Sequence, residues 1–220
     1  MRLLVLTDRD QSRTAGRNLA ETVAAAVAGG ATTILYREKT LPGPQRRALG
    51  ERVAEACGAA ELIVASDPVL ARELRAGTVH LAADDPWPED EGLLVGRSCH
   101  GAVELAGAAA HGAAYATVSP VFATDSKPGY GPALGPDGLA ALVADALLPV
   151  YALGGIQVDT VGSCLAAGAA GVAVMGAVMG AEDPAAAVRA TSAASPPSSP
   201  SCSTPSAPTS PTSARRTPSR

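Results

Sequence analysis

The chain has 220 residues, of which 47% are hydrophobic and 17% charged, and this is enough apolar material for one large folded core. Residues 195–220 hold seven prolines, nine serines, three arginines and no acidic residue. Since the whole chain carries −4 and this tail +3, the first 194 residues carry −7. A body this acidic would repel a phosphate backbone, which excludes duplex nucleic acid as a partner.

The cysteines and the apolar runs argue against an exported or membrane-bound protein. The four cysteines show no C-x-x-C spacing and no partnering histidine cluster, so neither a disulfide framework nor structural zinc is expected. The apolar run Leu3–Leu6 is too short for a signal peptide. The uncharged stretch 160–181 is long enough to span a membrane, but five glycines interrupt it, which favours a buried helix followed by a buried strand. We therefore expect a cytoplasmic protein.

From the N-terminus onward, short apolar or β-branched runs alternate with helical patterns. Eight runs have the continuous apolar character of parallel strands that are covered on both faces. They are Leu3–Leu6, Thr32–Tyr36, Leu62–Ala65, Val79–Leu81, Leu93–Val95, Tyr115–Val118, Val150–Leu153 and Val172–Met175.

Helical patterns separate most of these runs. Apolar residues recur at helical spacing in each of them, for example at Leu19, Val23 and Val27, and glycine commonly follows the last one. The exception is 82–92, which holds five acids and two prolines and leaves room for one helical turn at most. Eight strands with seven or eight helices predict a closed (β/α)8 barrel over residues 1–194, with a doubly wound open sheet as the alternative. Residues 195–220 show no periodicity, so we predict a disordered tail.

In a (β/α)8 barrel, functional residues gather where the strands end. Gly154, Gly155 and Gly176 follow the last two strands, where glycine would let a phosphate approach the backbone closely; tight turns are the alternative explanation. Asp67 and Asp85 follow the third and fourth strands, and two such carboxylates suit Mg²⁺ that bridges to phosphate oxygens. The alternative makes Asp67 a helix N-cap and Asp85 a solvated acid.

Cations and one histidine also follow strands. Arg37 and Lys39 leave the second strand and Lys127 follows the sixth, which indicates an anionic ligand unless each is simply solvated. His80 lies inside a short strand and is interpreted as a core histidine with satisfied hydrogen bonds. His100 follows the fifth strand next to Ser98, so we expect it to face the site.

Residues 1 to about 190 resemble the thiamine phosphate synthase family, which also contains the thiazole tautomerases. Each motif is weak alone, but their order and their positions at strand ends are specific. The motifs are Leu35–Lys39, Ser66-Asp67, Val79–Leu81 with Asp85, Gly96–His100, Ser119–Gly129, Leu153–Ile156 and Gly171–Met175.

The resemblance implies a barrel enzyme that joins hydroxymethylpyrimidine diphosphate to thiazole phosphate and releases diphosphate, with these small molecules as its partners. It implies Mg²⁺ as the cofactor. It also implies a role for individual residues. Diphosphate would be bound by Arg37, Lys39, Ser98 and Lys127, and Mg²⁺ by Asp67 and Asp85. Ser66 and Thr124 would contact the substrates, and the backbone at Gly155, Met175 and Gly176 would bind the thiazole phosphate. Ser98, Lys127 and His100 form the expected catalytic group.

Several positions depart from the family's pattern. Leu35 replaces the Gln that recognises the pyrimidine, Ser66 replaces an Asn, Pro68 replaces an Arg, and Gly176 replaces a Ser. Two alternatives therefore stay open: a thiazole tautomerase that acts through His100, and a non-catalytic paralogue that binds a phosphorylated ligand. The sequence leaves the oligomeric state open, a homo-oligomer included.

Overall fold

The computed structural model describes residues 2–89, 92–123 and 133–194, so the tail predicted at 195–220 lies outside the described residues. The strands are β1 (Arg2–Leu6), β2 (Thr33–Tyr36), β3 (Glu61–Ala65), β4 (Thr78–Leu81), β5 (Leu94–Cys99), β6 (Tyr115–Val118), β7 (Val150–Leu153) and β8 (Gly171–Val174). The helices are α1 (Arg9–Thr14), α2 (Leu19–Ala28), α3 (Gly43–Cys57), α4 (Pro68–Glu73), α5 (Ala102–Ala110), α6 (Gly135–Ala144), α7 (Val158–Ala166), α8 (Gly176–Met179) and α9 (Pro184–Ala193).

The strands pair in parallel and in chain order, and β1 also pairs with β8, which closes the barrel. In the closing pair, Leu3 lies opposite Val172 and Val5 opposite Val174. The predicted (β/α)8 barrel is confirmed. The alternative, a doubly wound open sheet, is wrong because its two edge strands would not share this ladder.

All eight predicted strands are present, but two of them end elsewhere. β5 continues to Cys99 instead of ending at Val95, and Ser98 pairs there with Thr117 of β6. The polar character of this extension hid it from a search for apolar runs. β8 ends at Val174, so Met175 is the N-cap of α8 and not a strand residue.

Two helices, α1 and α8, were not predicted. In α1 only Ser12 is buried, so the segment has no apolar periodicity to mark it. Asp8 nevertheless starts α1 by accepting hydrogen bonds from the backbone N–H groups of Asp10 and Gln11. The stretch 160–181 folds as most of α7, then β8 and α8, and no helix within the described residues is long and apolar enough to cross a membrane.

Strand side chains alternate between two apolar clusters. One set points outward and packs against the helices, as Val5, Ile34 and Val64 do. The other set fills the barrel interior: Leu4, Leu6, Leu35, Ile63, Ala65, Tyr151 and Ala173. Leu35, which replaces the Gln that the resemblance leads us to expect, is 1% exposed inside the barrel.

The connection between β4 and β5 contains no helix in its described residues, as predicted, and Trp87 of this connection contacts two neighbouring side chains. The ring of Trp87 stacks on His111 at a centroid distance of 4.9 Å, and the guanidinium of Arg97 lies 5.2 Å from the Trp87 ring. Arg97 also donates to the backbone carbonyls of Ala83 and Asp85. This contact holds the loop that carries Asp85.

Gly96 should tolerate no side chain, because the ring of Tyr115 lies directly over it. An added Cβ at Gly96 would lie 2.2 Å from Cζ of Tyr115. We expect Gly96→Ala to lower the free energy of unfolding by about 1–3 kcal/mol, the usual cost of overpacking a core. Gly107→Ala is the matched control, since nothing lies within 4 Å of its added Cβ and alanine suits a helix interior better. Urea denaturation measures the free energy of unfolding of both variants, and equal values for the two would contradict the close packing at Gly96.

Candidate active site

The ends of β1 and β2 are joined through a buried carboxylate, Glu38, which is 5% exposed. The Thr7 hydroxyl donates to Oε1 of Glu38 at 3.0 Å, and the backbone N–H of Arg9 donates to the same oxygen at 3.1 Å. Thr7 Oγ1 in turn accepts from the backbone N–H of Arg37 at 2.9 Å. This network fixes the backbone on which Arg37 and Lys39 stand.

Burial raises the pKa of Glu38, although the hydrogen bonds from Thr7 and Arg9 and the charge of Arg9 oppose the shift. Sequence analysis gave Glu38 no role of its own. The signal available was its position between the two cations of a single motif.

Asp67 is an N-cap, as the alternative interpretation held. Its Oδ1 accepts from the backbone N–H of Leu70 at 2.9 Å, which starts α4. Its Oδ2 pairs with Nη1 of Arg46 at 3.0 Å, and Nη2 of Arg46 donates to the carbonyl of Ala65 at the end of β3. Arg46, which sequence analysis missed, therefore holds Asp67 against the end of this strand.

Asp85 is held by hydrogen bonds, so its interpretation as a merely solvated acid is wrong. Its Oδ2 accepts from the backbone N–H of Ala82 at 2.7 Å and from the hydroxyl of Ser66. Burial alone would raise the pKa of Asp85, but these hydrogen bonds, with the charges of Lys39 and Arg97, lower it on balance. Asp85 is thus a carboxylate that stays ionised beside a cation.

Ser66 adopts a left-handed backbone conformation, with a φ of 58°. Few residues other than glycine accept this region, and Asn is among those that do so most readily. The resemblance leads us to expect Asn at this position, and the backbone conformation gives a physical reason for it. In this chain the serine hydroxyl reaches Asp85 from the same conformation.

Ser98 lies inside the barrel next to His80. Nε2 of His80 is 3.0 Å from Oγ of Ser98, and Nδ1 is 3.0 Å from the hydroxyl of Tyr115. The interpretation of His80 as a satisfied core histidine is therefore confirmed. Burial, together with the positive charges of Lys39, Arg97 and Arg37, lowers the pKa of His80 to about 3, so its ring is neutral at physiological pH.

His100 follows β5, and its ring is a quarter exposed. Its Nδ1 lies 3.2 Å from Oε2 of Glu104, and its backbone N–H donates to the same carboxylate oxygen. Glu104 belongs to the first turn of α5, so this pair ties His100 to the start of that helix.

The turn after β7 is packed tightly against the turn after β6. Gly154 and Gly155 both have positive φ angles, 97° and 63°. An added Cβ at Gly154 would lie 2.9 Å from Cα of Pro120, and one at Gly155 would lie 2.3 Å from the carbonyl oxygen of Ala123. These two glycines are therefore required by turn geometry and packing, whether or not a phosphate binds there.

After β8, Met175 and Gly176 begin α8. Gly176 is exposed, and the nearest atoms to an added Cβ there belong to the side-chain amide of Gln11, with its oxygen at 3.0 Å. The backbone at this end of the barrel is therefore more accessible at Gly176 than at Gly155. Thr124 and Lys127, which complete the predicted site, lie outside the described residues.

Replacing Gly155 with alanine should destabilise the protein before any question of ligand binding arises. We expect Gly155→Ala to lower the free energy of unfolding by about 1–3 kcal/mol, because a left-handed φ and a backbone carbonyl both oppose the new Cβ. Gly176→Ala should change it by less than about 1 kcal/mol, since the end of the Gln11 side chain can move away. Thermal unfolding of the two variants tests this order of stability. A Gly176→Ala variant that is less stable than Gly155→Ala would contradict it.

Comparison with known proteins gives a consistent family assignment. Residues 3–178 match the family model described as thiamine monophosphate synthase. A putative thiamine-phosphate synthase of Geobacter sulfurreducens is 39% identical over 199 residues, covering 86% of this chain and 91% of the relative. A thiamine-phosphate synthase of Roseiflexus castenholzii is 40% identical over 196 residues, covering 84% of each chain. The solved structure of the thiamine phosphate pyrophosphorylase of Pyrococcus furiosus superimposes with a TM-score of 0.77 at 31% identity, covering 87% of this chain and 93% of that one.

Proposed function

The chain belongs to the thiamine monophosphate synthase family, and from this we propose that it is a transferase that couples hydroxymethylpyrimidine diphosphate to thiazole phosphate in thiamine biosynthesis. The observation that carries the proposal is the ionised carboxylate of Asp85 next to the charge of Lys39, at the same end of the barrel as Ser98. Such a site suits an anionic leaving group and its counter-ion.

The reaction exchanges one bond for another. The bond between the pyrimidine methylene carbon and the diphosphate oxygen breaks, and the diphosphate leaves with the electron pair. The lone pair of the thiazole nitrogen then forms the new carbon–nitrogen bond, which gives thiamine phosphate and free diphosphate. The barrier is lowered by groups that stabilise charge developing on the leaving oxygen.

We assign the diphosphate to the side of the barrel where β2, β4 and β5 end. Arg37 and Lys39 follow the end of β2, and their positive charges lower the pKa of His80, which supports an anion on this side of the barrel. Ser98 contributes a hydroxyl from that cluster. Lys127 stays a prediction for the same role.

The carboxylates present fit Mg²⁺. Mg²⁺ is commonly bound by one or two carboxylates, with waters and substrate phosphates completing its shell. Asp85 supplies an ionised carboxylate, while Asp67 would have to bind the ion with a carboxylate that already holds Leu70 and Arg46. In the described residues no cluster of three or more acidic, histidine or cysteine side chains could hold a metal alone. When bound, the ion would neutralise negative charge on the departing diphosphate.

The thiazole phosphate is assigned to the backbone after β7 and β8, the usual phosphate position in this fold. Gly176 and Met175 offer the accessible part of that backbone, and Gly155 shapes the turn beside it. Leu35 can offer the pyrimidine only apolar contact, because its side chain has no hydrogen-bonding group. We place the reaction in the cytoplasm, with small molecules and no nucleic acid or membrane as partners.

The two alternatives are not favoured. The relatives reported above are named as synthases, which supports neither a thiazole tautomerase nor a non-catalytic paralogue. His100, on which the tautomerase depends, is held by Glu104 at the start of α5.

The proposal predicts that Asp85 is required for coupling and that its neighbour is not. With both substrates and Mg²⁺, the unmodified chain should form thiamine phosphate, and Asp85→Asn should lower kcat/KM by about 100-fold or more, a typical cost of losing one electrostatic group. Asp84→Asn is the matched control, because Asp84 is an exposed acid one position earlier. Product formation measured by chromatography, with Mg²⁺ present or chelated, distinguishes the two variants.

Three outcomes would contradict the proposal. Thiamine phosphate formation that survives both chelation and Asp85→Asn would remove the carboxylate from the reaction. Metal-independent isomerisation of the thiazole, lost in His100→Ala, would make the protein a tautomerase. Absence of any turnover by the unmodified chain, with tight binding of thiazole phosphate, would favour the non-catalytic paralogue.

A further inference from the structure

Three polar side chains meet inside the barrel on neighbouring strands, and Gly96 is the reason that they can. His80 of β4 lies opposite Gly96 of β5, and Gly96 lies opposite Tyr115 of β6. Because Gly96 has no side chain, the ring of Tyr115 passes over β5 and its hydroxyl reaches Nδ1 of His80 at 3.0 Å. Ser98, two residues further along β5, meets the opposite nitrogen of the same ring.

The number of protons limits how this cluster can be arranged. His80 is neutral, so its ring carries one N–H, and burial raises the pKa of Tyr115, so its hydroxyl keeps its proton. If Nδ1 of His80 carried the hydrogen, the Tyr115 hydroxyl proton would find no acceptor among the described residues. If Nε2 carries it, the Tyr115 hydroxyl donates to Nδ1, and Nε2–H donates to Oγ of Ser98. The second arrangement pairs both ring nitrogens and the Tyr115 hydroxyl, and it leaves over only the proton of the partly exposed Ser98 hydroxyl.

The choice of tautomer decides what Ser98 offers to an anion. With Nε2–H donating to Oγ, the Ser98 hydroxyl keeps its own proton for another acceptor. With the other tautomer, Ser98 would donate that proton to His80 and present only lone pairs, which repel a phosphate oxygen. The same two side chains at the same distance would then oppose the binding of an anion.

We propose that His80 is a positioning residue that, with its Nδ1 held by Tyr115, turns the Ser98 hydroxyl into a hydrogen-bond donor toward the leaving diphosphate. The inference rests on the proposed function for the identity of the anion. It assigns His80 no proton transfer and no contact with substrate. Its effect is to set the direction of a hydrogen bond made by another residue.

The tautomer can be observed directly by nitrogen-15 NMR of the full chain labelled at histidine. The chain has three histidines, so His100→Gln and His111→Gln variants assign the remaining signal to His80. We expect the protonated nitrogen of His80 to be Nε2 and the unprotonated one to be Nδ1. A protonated Nδ1 would overturn the proposal.

The functional consequence can be measured without turnover, by calorimetric binding of inorganic pyrophosphate with Mg²⁺. Tyr115→Phe, which removes the donor to Nδ1, should raise the Kd about ten-fold, within the range for a hydrogen bond to a charged group. Tyr151→Phe is the matched control, because its ring packs edge-on against Tyr115 at 5.5 Å inside the same barrel, and it should leave the Kd unchanged.

A double-mutant comparison separates positioning from a general structural effect. Ser98→Ala should itself weaken pyrophosphate binding, and adding Tyr115→Phe to it should then cost nothing more, because the residue being positioned is gone. Additive losses would show that Tyr115 acts through stability, and would overturn the proposal.

The outcomes also separate this proposal from the proposed reaction. Thiamine phosphate formation with additive losses refutes the role of His80 and leaves the transferase intact. Non-additive losses in a chain that forms no thiamine phosphate support the role of His80 in anion binding and refute the reaction. Pyrophosphate that does not bind to the unmodified chain overturns the positioning role.

Discussion

The arrangement of the candidate site depends on the parallel pairing of neighbouring strands, which runs in chain order from β1 to β8 and closes on β1. This pairing brings the carboxyl ends of all the strands to one end of the barrel, so residues far apart in sequence become neighbours. Thr7 and Glu38, 31 positions apart, share a buried hydrogen bond for this reason. Ser66 and Asp85, 19 positions apart, share a partly buried hydrogen bond beyond the ends of β3 and β4.

The carboxylates at this end of the barrel each have hydrogen-bond partners nearby. Asp67 is paired with Arg46, Asp85 with the hydroxyl of Ser66, and Glu38 with donors from the end of β1. Buried polar groups cost free energy unless they are paired. These contacts therefore hold the carboxylates of the site in one conformation. The side chain of Arg97 supports the helix-free connection that carries Asp85, because it donates to two of its backbone carbonyls and lies over the ring of Trp87.

Sequence reasoning left two interpretations open where one residue could serve either function or packing. Asp67 was interpreted in two ways, and the hydrogen bond to Leu70 shows that it caps α4, which does not by itself remove it from a metal site. Gly155 was interpreted either as phosphate access or as a tight turn; its turn packs on the carbonyl of Ala123, which does not by itself remove it from a phosphate site. The polar end of β5 escaped notice because residues that serve a site interrupt the apolar pattern by which strands are recognised.

The sequence by itself determined the barrel, the positions of its eight strands and the family, because hydrophobic periodicity and motifs at strand ends are local features. It also predicted that His80 is a satisfied core histidine. Only the tertiary structure decided which groups satisfy it: Tyr115 reaches His80 across Gly96, and Ser98 meets its other nitrogen. Such contacts depend on strand register in a closed barrel, and register is set by long-range pairing that no single segment contains.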